Sequence, residues 1–286
     1  MSVFTALAPI GQARCGTSPV PLTIERTKLA MLIVLSPAKT LDFATPLPAH
    51  KATQPALLEQ AQQLNQQLRP LSARGLSKLM HISDELAQQN ADRNQQWQRP
   101  FTSKNARQAI FAFRGDVYLG LDADSFSAED LAFSQGHLRI LSGLYGVLRP
   151  LDLMQPYRLE MGTMLQTPAA RNLYEFWGST ITGELNKALT GHTSKTLVNL
   201  ASQEYFGAVQ PQVLKAAIVT PVFKDFKNGD YKIISFFAKK ARGSMAAWLL
   251  KNRVEDPAQL QEFAEGGYKF NNALSKPHEL LFTRKQ

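Results

Sequence analysis

The chain has 286 residues, 44% hydrophobic and 19% charged, so it carries apolar content enough for a large core and is not a charge-dominated disordered chain. No apolar run reaches the roughly 18 residues that span a bilayer, and the single cysteine, Cys15, excludes an internal disulfide or a cysteine metal cage. The formal net charge of +9 favours a polyanionic partner, without separating DNA, RNA, nucleotides and acidic lipid.

Residues 1–30 lack the basic start and sustained apolar run of a signal peptide. They are expected to be an extension, disordered or from a mis-called start, with Met31 as the natural start and residues 31–286 as one domain. Met31 opens into LIVL, Leu32–Leu35, a continuous apolar run that predicts a buried strand. After a Pro-rich linker, Leu57, Ala61, Leu64 and Leu68 recur at spacings of three and four, one face of a helix. Two further helices are predicted over Leu71–His81 and Asp84–Trp97, the second capped by Ser83. Thr102 is predicted to cap a helix over Ser103–Ile110. Ser127-Ala-Glu-Asp reads as a capping box, with Asp130 in place of the usual Glu or Gln.

Farther on, SKTLVNLAS predicts a strand over Thr196–Leu200. In PVFKDFKNGDYKIISFFA, two strand-forming runs flank Asn228-Gly229, a hairpin signal because both turn positions tolerate positive φ. A helix is predicted over Ser244–Lys251, and LLFTR, ending at Arg284, reads as a last edge strand. The pattern predicts a mixed α/β fold: one compact domain with a mixed sheet surrounded by helices.

The standard cofactor signatures are missing. No two of the five histidines lie within 30 residues of each other, so no metal site is expected. There is no GxxxxGK[ST] loop, no GxGxxG and no GxSxG elbow, and no cofactor is expected. Chemistry-bearing residues cluster instead in four segments. SPAKTLDF ends the first strand and brings Lys39 and Asp42, where ligands commonly sit in α/β sheets. Lys39 is a candidate phosphate holder, or an amine nucleophile if burial frees it of its proton. NLASQEYF ends another strand with Glu204, a candidate acid or a plain turn residue. FFAKKARGSMAAW passes from a predicted strand to a predicted helix through Lys239, Lys240 and Arg242, either an anion site at free helix N–H groups or a basic loop. LSGLYGVLRP sets Gly143 and Gly146 between Arg139 and Arg149, with Tyr157 and Arg158 beyond. It reads either as a helix–hairpin–helix phosphate clip with Pro150 in the first turn of the second helix, or as a strand followed by turns. Its glycines are one residue farther apart than in the common hairpin.

Together LIVLSPAKTLDF, ARQAIFAFRGDVYLGL, HLRILSGLYGVLRPLDLMQPYRLEMG, NLASQEYF and FFAKKARGSMAAW resemble the bacterial peroxide-stress protein YaaA family, from Met31 to about Phe282. The resemblance implies a cytosolic protein that protects cells from hydrogen peroxide by limiting free intracellular iron and DNA damage. It also implies an α/β fold with a helix–hairpin–helix and a basic cleft for duplex or branched DNA. On it, Lys39, Arg139, Gly143, Gly146, Arg149, Arg158, Lys239, Lys240 and Arg242 are expected to face DNA. A monomer without a direct iron site or membrane contact is expected.

Two function classes follow. The first is a DNA-binding stress protein without catalysis. The alternative is a nucleic-acid-acting enzyme of glycosylase or lyase type, using Lys39 with Asp42 and Glu204. A small-molecule or nucleotide pocket at the SPAKT and NLAS strand ends is a third, blander reading.

Overall fold

The structure is a computed structural model that describes residues 1, 31–47 and 51–285. The expected extension, apart from Met1, lies outside the described residues, and Cys15 and His50 with it.

Eight strands form the main sheet among the described residues: β1 (Leu32–Leu35), β2 (Leu138–Ser142), β3 (Gly146–Leu148), β4 (Thr196–Leu200), β5 (Ala217–Lys227), β6 (Asp230–Lys232), β7 (Lys269–Phe270) and β8 (Glu279–Arg284). Their spatial order is β7-β8-β5-β4-β1-β2-β3, and β6 pairs with the far end of β5. β1 is parallel to both neighbours, with Leu35 opposite Ile140 on one side and Leu200 on the other. All four residues of β1 are buried, which accounts for its unbroken apolar run. The β3, β6 and β7 pairings are antiparallel, so the sheet is mixed.

The helices begin with α1 (Leu58–Leu68), α2 (Ala73–Met80) and α3 (Asp84–Gln96), the last capped by Ser83 as expected. Then come α4 (Asp116–Leu121), α5 (Ala128–His137), α6 (Thr180–Leu189) and α7 (Ser235–Lys251). The capping box of α5 is formed: Asp130 N–H donates to Ser127 Oγ at 3.1 Å, and Ser127 N–H to the Asp130 carboxylate at 3.0 Å. Asn228 and Gly229 take positive φ in the β5–β6 turn.

Four expectations change. The helix expected after Thr102 is a turn, followed by a two-residue strand, Arg107–Gln108, and a single helical turn, Ala109–Ala112. Thr102 bonds Asn105 and Lys104 within that turn instead of capping a helix. β8 is not an edge strand, because β7 covers its outer side. α7 starts nine residues earlier than predicted: Ala238, Ala241, Met245 and Leu249 continue one buried helical stripe through the basic segment. Lys239, Lys240 and Arg242 therefore sit within the helix body, and the anion site expected at free N–H groups is not formed.

The largest change concerns LSGLYG. β2 and β3 pair antiparallel, with Ile140 opposite Leu148 and Ser142 opposite Gly146, so this is a β-hairpin and not a helix–hairpin–helix. Every residue from Ile140 to Leu148 is buried. The glycines serve packing. A Cβ on Gly143 would overlap the Leu159 carbonyl, and Gly146 has φ +67° with Trp177 and Leu57 pressed against it. Trp177 Nε1 donates to the Gly143 carbonyl at 3.0 Å. Beneath the turn, Tyr145 N–H donates to Ser142 Oγ at 3.0 Å, which lies 2.6 Å from the Tyr157 hydroxyl. Pro150 opens a turn closed by the Asp152 N–H on the Arg149 carbonyl.

At the opposite end of the strands, His137 in the last turn of α5 stacks on Phe133, with ring centroids 3.6 Å apart, and His192 lies 5.1 Å away. Burial pushes the His137 pKa down from 6.5 to about 4, and burial lowers that of His192 as well.

Two predictions follow from this packing. Gly143→Ala should cost about 1–3 kcal/mol in urea unfolding, the range for overpacking a filled site, and an unchanged midpoint would contradict the close approach to Leu159. For His137 the folded pKa lies below the unfolded one, so its contribution is complete above about pH 6.5 and is lost as pH falls through about 4. At 2% exposure that loss amounts to about 3 kcal/mol. His137→Leu should flatten the stability profile between pH 4 and 6.5, and an unaltered slope would show that His137 does not carry it.

Candidate functional site

β1, β2 and β4 run parallel, so the segments leaving their C-terminal ends emerge at one edge of the sheet. Two of those segments are tied to each other. Ser202 N–H donates to Ser36 Oγ at 2.8 Å, and the Ser36 hydroxyl donates to Ser202 Oγ at 3.3 Å. Tyr118 of α4 donates to the Ser36 carbonyl at 3.0 Å. The two loops and α4 are thereby fixed around a cleft of about 440 Å³.

Helix α7 forms part of the wall. It crosses α4 so closely that a Cβ on Gly120 would overlap the Lys240 carbonyl, and one on Gly243 the Val117 carbonyl. Glycine at both positions lets the two backbones touch. Lys239 and Arg242, three residues apart on α7, share one helix face and line the cleft.

Five cations line this space: Lys39, Arg114, Arg158, Lys239 and Arg242. Three carboxylates join them: Asp116, Glu160 and Glu204. Glu160 bridges two cations, with Lys39 Nζ at 2.8 Å and Arg158 Nη2 at 3.1 Å. Arg114 pairs with Asp42 at 3.3 Å and Asp124 at 3.1 Å. Glu204 Oε1 accepts the Gly162 N–H at 2.9 Å. Among the described residues, Lys239 and Arg242 have no acidic partner. Burial alone lowers the pKa of the Arg242 guanidinium, with no carboxylate near enough to oppose it. Two buried tyrosines, Tyr157 and Tyr205, complete the floor, and burial raises the pKa of both.

The structure divides the sequence-derived candidates. It brings Lys39, Arg158, Glu204, Lys239 and Arg242 into the one cleft. Lys240 is exposed on α7 beside it. Asp42 is tied up as a loop organiser: it accepts the N–H groups of Ala44 and Thr45, both at 3.0 Å. The Thr45 bonds hold its carboxyl well below the usual range, with Arg107 assisting. Arg139 and Arg149 belong to a different place. Arg139 donates to the Gln135 and Leu138 carbonyls at 3.0 and 2.7 Å, and burial pulls its pKa down to about 10. Arg149 is clamped on buried Asp152, with Nε at 3.0 Å and Nη2 at 2.8 Å, and reaches the Gln54 carbonyl. Gly143 and Gly146 lie inside the hairpin core and offer no exposed backbone.

Sequence reasoning passed over Arg114, Asp116 and Glu160, and also the basic character of the β5–β6 hairpin. β5 pairs with β4 only over Ala217–Val219 and continues eight residues past that point, so the hairpin overhangs the edge that holds the cleft. It carries Lys224, Lys227 and Lys232, with Phe226 39% exposed. Ile233 and Phe236 follow it at 56% and 51% exposure. Among the described residues, no group of three His, Cys, Asp or Glu could hold a metal ion, and no helix is long and apolar enough to cross a membrane.

The geometry yields a prediction about Lys39. An exposed ammonium held on Glu160 is not the desolvated amine that Schiff-base chemistry needs. Borohydride reduction with abasic DNA should trap no covalent adduct, and an adduct lost in Lys39→Ala would replace binding with lyase chemistry.

A family model described as "Peroxide stress protein YaaA" matches residues 31–274. A UPF0246 protein of Teredinibacter turnerae is 57% identical over 256 residues, covering 90% of this chain and all of the relative. Those of Saccharophagus degradans and Cellvibrio japonicus are 59% and 56% identical over the same length, with 90% of this chain and 100% and 99% of each relative covered. Lys39, Arg158, Glu204, Lys239 and Arg242 all fall inside the matched region, and this chain belongs to the peroxide stress protein YaaA family.

Proposed function

We propose that this peroxide stress protein binds DNA in the cytosol through the cleft at the strand ends, with the β5–β6 hairpin as its outer wall. The observation that carries the reading is the pair Lys239 and Arg242, cations that line a concave site and form no ion pair among the described residues. A half-buried guanidinium without a counter-charge is costly, and a phosphate offsets that cost through charge-assisted bonds. The overhanging Lys227 and Lys232 extend the positive surface, and exposed Phe226 gives an unpaired base a face to stack on.

Such contacts go to the phosphate backbone, so recognition is by charge and shape more than by sequence. This suits duplex or branched DNA alike. In this reading, protection against peroxide and the limiting of free iron follow from DNA occupancy, without an iron ligand set in the cleft.

The reading makes a graded prediction for salt dependence. Each lost phosphate contact lowers the slope of log affinity against log salt by about 0.9 on duplex DNA. Lys239→Ala with Arg242→Ala should flatten the slope by about two such steps. Arg149→Ala should leave the slope in place, because that guanidinium is committed to Asp152. Fluorescence anisotropy across a salt series measures both, and an unchanged slope in the double variant would sink the assignment.

A further inference from the structure

The cations of the cleft are not equivalent. Lys39 and Arg158 share the one carboxylate of Glu160, and Arg114 pairs with Asp42 and Asp124. Lys239 and Arg242 alone among them, within the described residues, form no ion pair. Free acceptors face the same space. Glu204 uses Oε1 on Gly162, while its Oε2 and the Asp116 carboxylate have no hydrogen-bond donor among the described residues. An inorganic anion needs only the two cations. A ligand that also brings hydroxyl or amine donors uses the acceptors as well, and a phosphorylated sugar with its base has both.

Size sharpens the class. At about 440 Å³ the cleft falls in the range of roughly 300–1,000 Å³ typical of small-molecule pockets. A duplex carries its phosphates along a convex outer surface and reaches the cations from the mouth of such a cleft without filling it. One nucleotide at a strand end can enter. A terminal phosphate monoester carries a charge of about −1.5 to −2 at neutral pH, against one negative charge for an internal phosphate. The two cations outside any ion pair among the described residues are the ones left to hold the monoester.

We propose that the cleft is a mononucleotide site that seats a terminal phosphate monoester on Lys239 and Arg242, with Asp116 and Glu204 accepting bonds from the attached base, and from the 3′-hydroxyl where the nucleotide is free. The proposal rests on the DNA-binding reading for the source of that nucleotide, since the same chemistry is offered by a strand end and by a free nucleotide. Internal phosphates then contact the overhanging hairpin while the end occupies the cleft.

Competition against a labelled duplex separates these cases, using the full chain, short oligonucleotides with a 5′-phosphate or a 5′-hydroxyl, and thymidine monophosphate beside thymidine. The phosphorylated oligonucleotide should bind about tenfold tighter than its hydroxyl twin, the worth of one charge-assisted bond. Thymidine monophosphate should bind measurably by calorimetry, and thymidine should not. Lys239→Met, at an exposed position that carries no packing, should abolish the preference, and Arg242→Met should do the same. Binding of the free monophosphate without an end preference would assign the site to a free nucleotide and keep the mononucleotide assignment. Equal affinity of both oligonucleotides with no monophosphate binding would overturn it, as would a preference that survives both substitutions. In either of those cases a steep salt dependence of duplex binding would leave the DNA-binding reading standing.

Discussion

Four residues, Leu32–Leu35, constrain everything around the cleft. They pair parallel with β2 on one side and β4 on the other, in fixed register. Parallel neighbours must release their chains at the same edge, so SPAKT and NLAS meet although more than 160 residues separate them. The serine pair Ser36 and Ser202 then locks the meeting point. Burying each aliphatic side chain of such a strand is worth about 1.5–3 kcal/mol. The strand has no polar residue with which to soften its position, and its burial on both faces makes the edge a rigid frame.

Within that frame the decisive feature is which charges are already neutralised. A basic sequence invites the inclusion of every arginine in a binding surface. The structure commits Arg149 to Asp152 and buries Arg139 among carbonyl acceptors, so both hold the hairpin and its turn in place. Lys239 and Arg242 are held in the cleft by a helix crossing that only glycine at Gly120 and Gly243 allows, and neither forms an ion pair among the described residues. Rigidity of the crossing matters because an anion site whose backbone is already fixed loses less freedom when the ligand arrives.

Much of the frame was legible in the sequence, because it rests on local signals. The LIVL run, the caps at Ser83 and Ser127 and the Asn228-Gly229 turn each follow from short-range chemistry, and each is present. The failures have one cause, tertiary contact. Gly143 and Gly146 look like a phosphate clip when read alone, yet they answer to Leu159, Leu57 and Trp177, which approach from other segments. The start of α7 was hidden because Phe236 and Phe237 favour strands in isolation, while packing of Ala238 and Ala241 extends the helix. For the site, Lys39, Glu204, Lys239 and Arg242 were recognisable as candidates. The shared ion pairing of Glu160 was not, because a salt bridge between residues 39 and 160 leaves no trace in spacing.

The central claim is that DNA phosphate sits at Lys239 and Arg242 and not at the Arg139–Arg149 face. A crystal structure of the chain with a short 5′-phosphorylated duplex tests it most directly. The account predicts a phosphorus atom within hydrogen-bonding reach of both the Arg242 guanidinium and Lys239 Nζ, with the Arg149–Asp152 clamp intact. Phosphate density on Arg139 or Arg149, with an empty cleft, would contradict it.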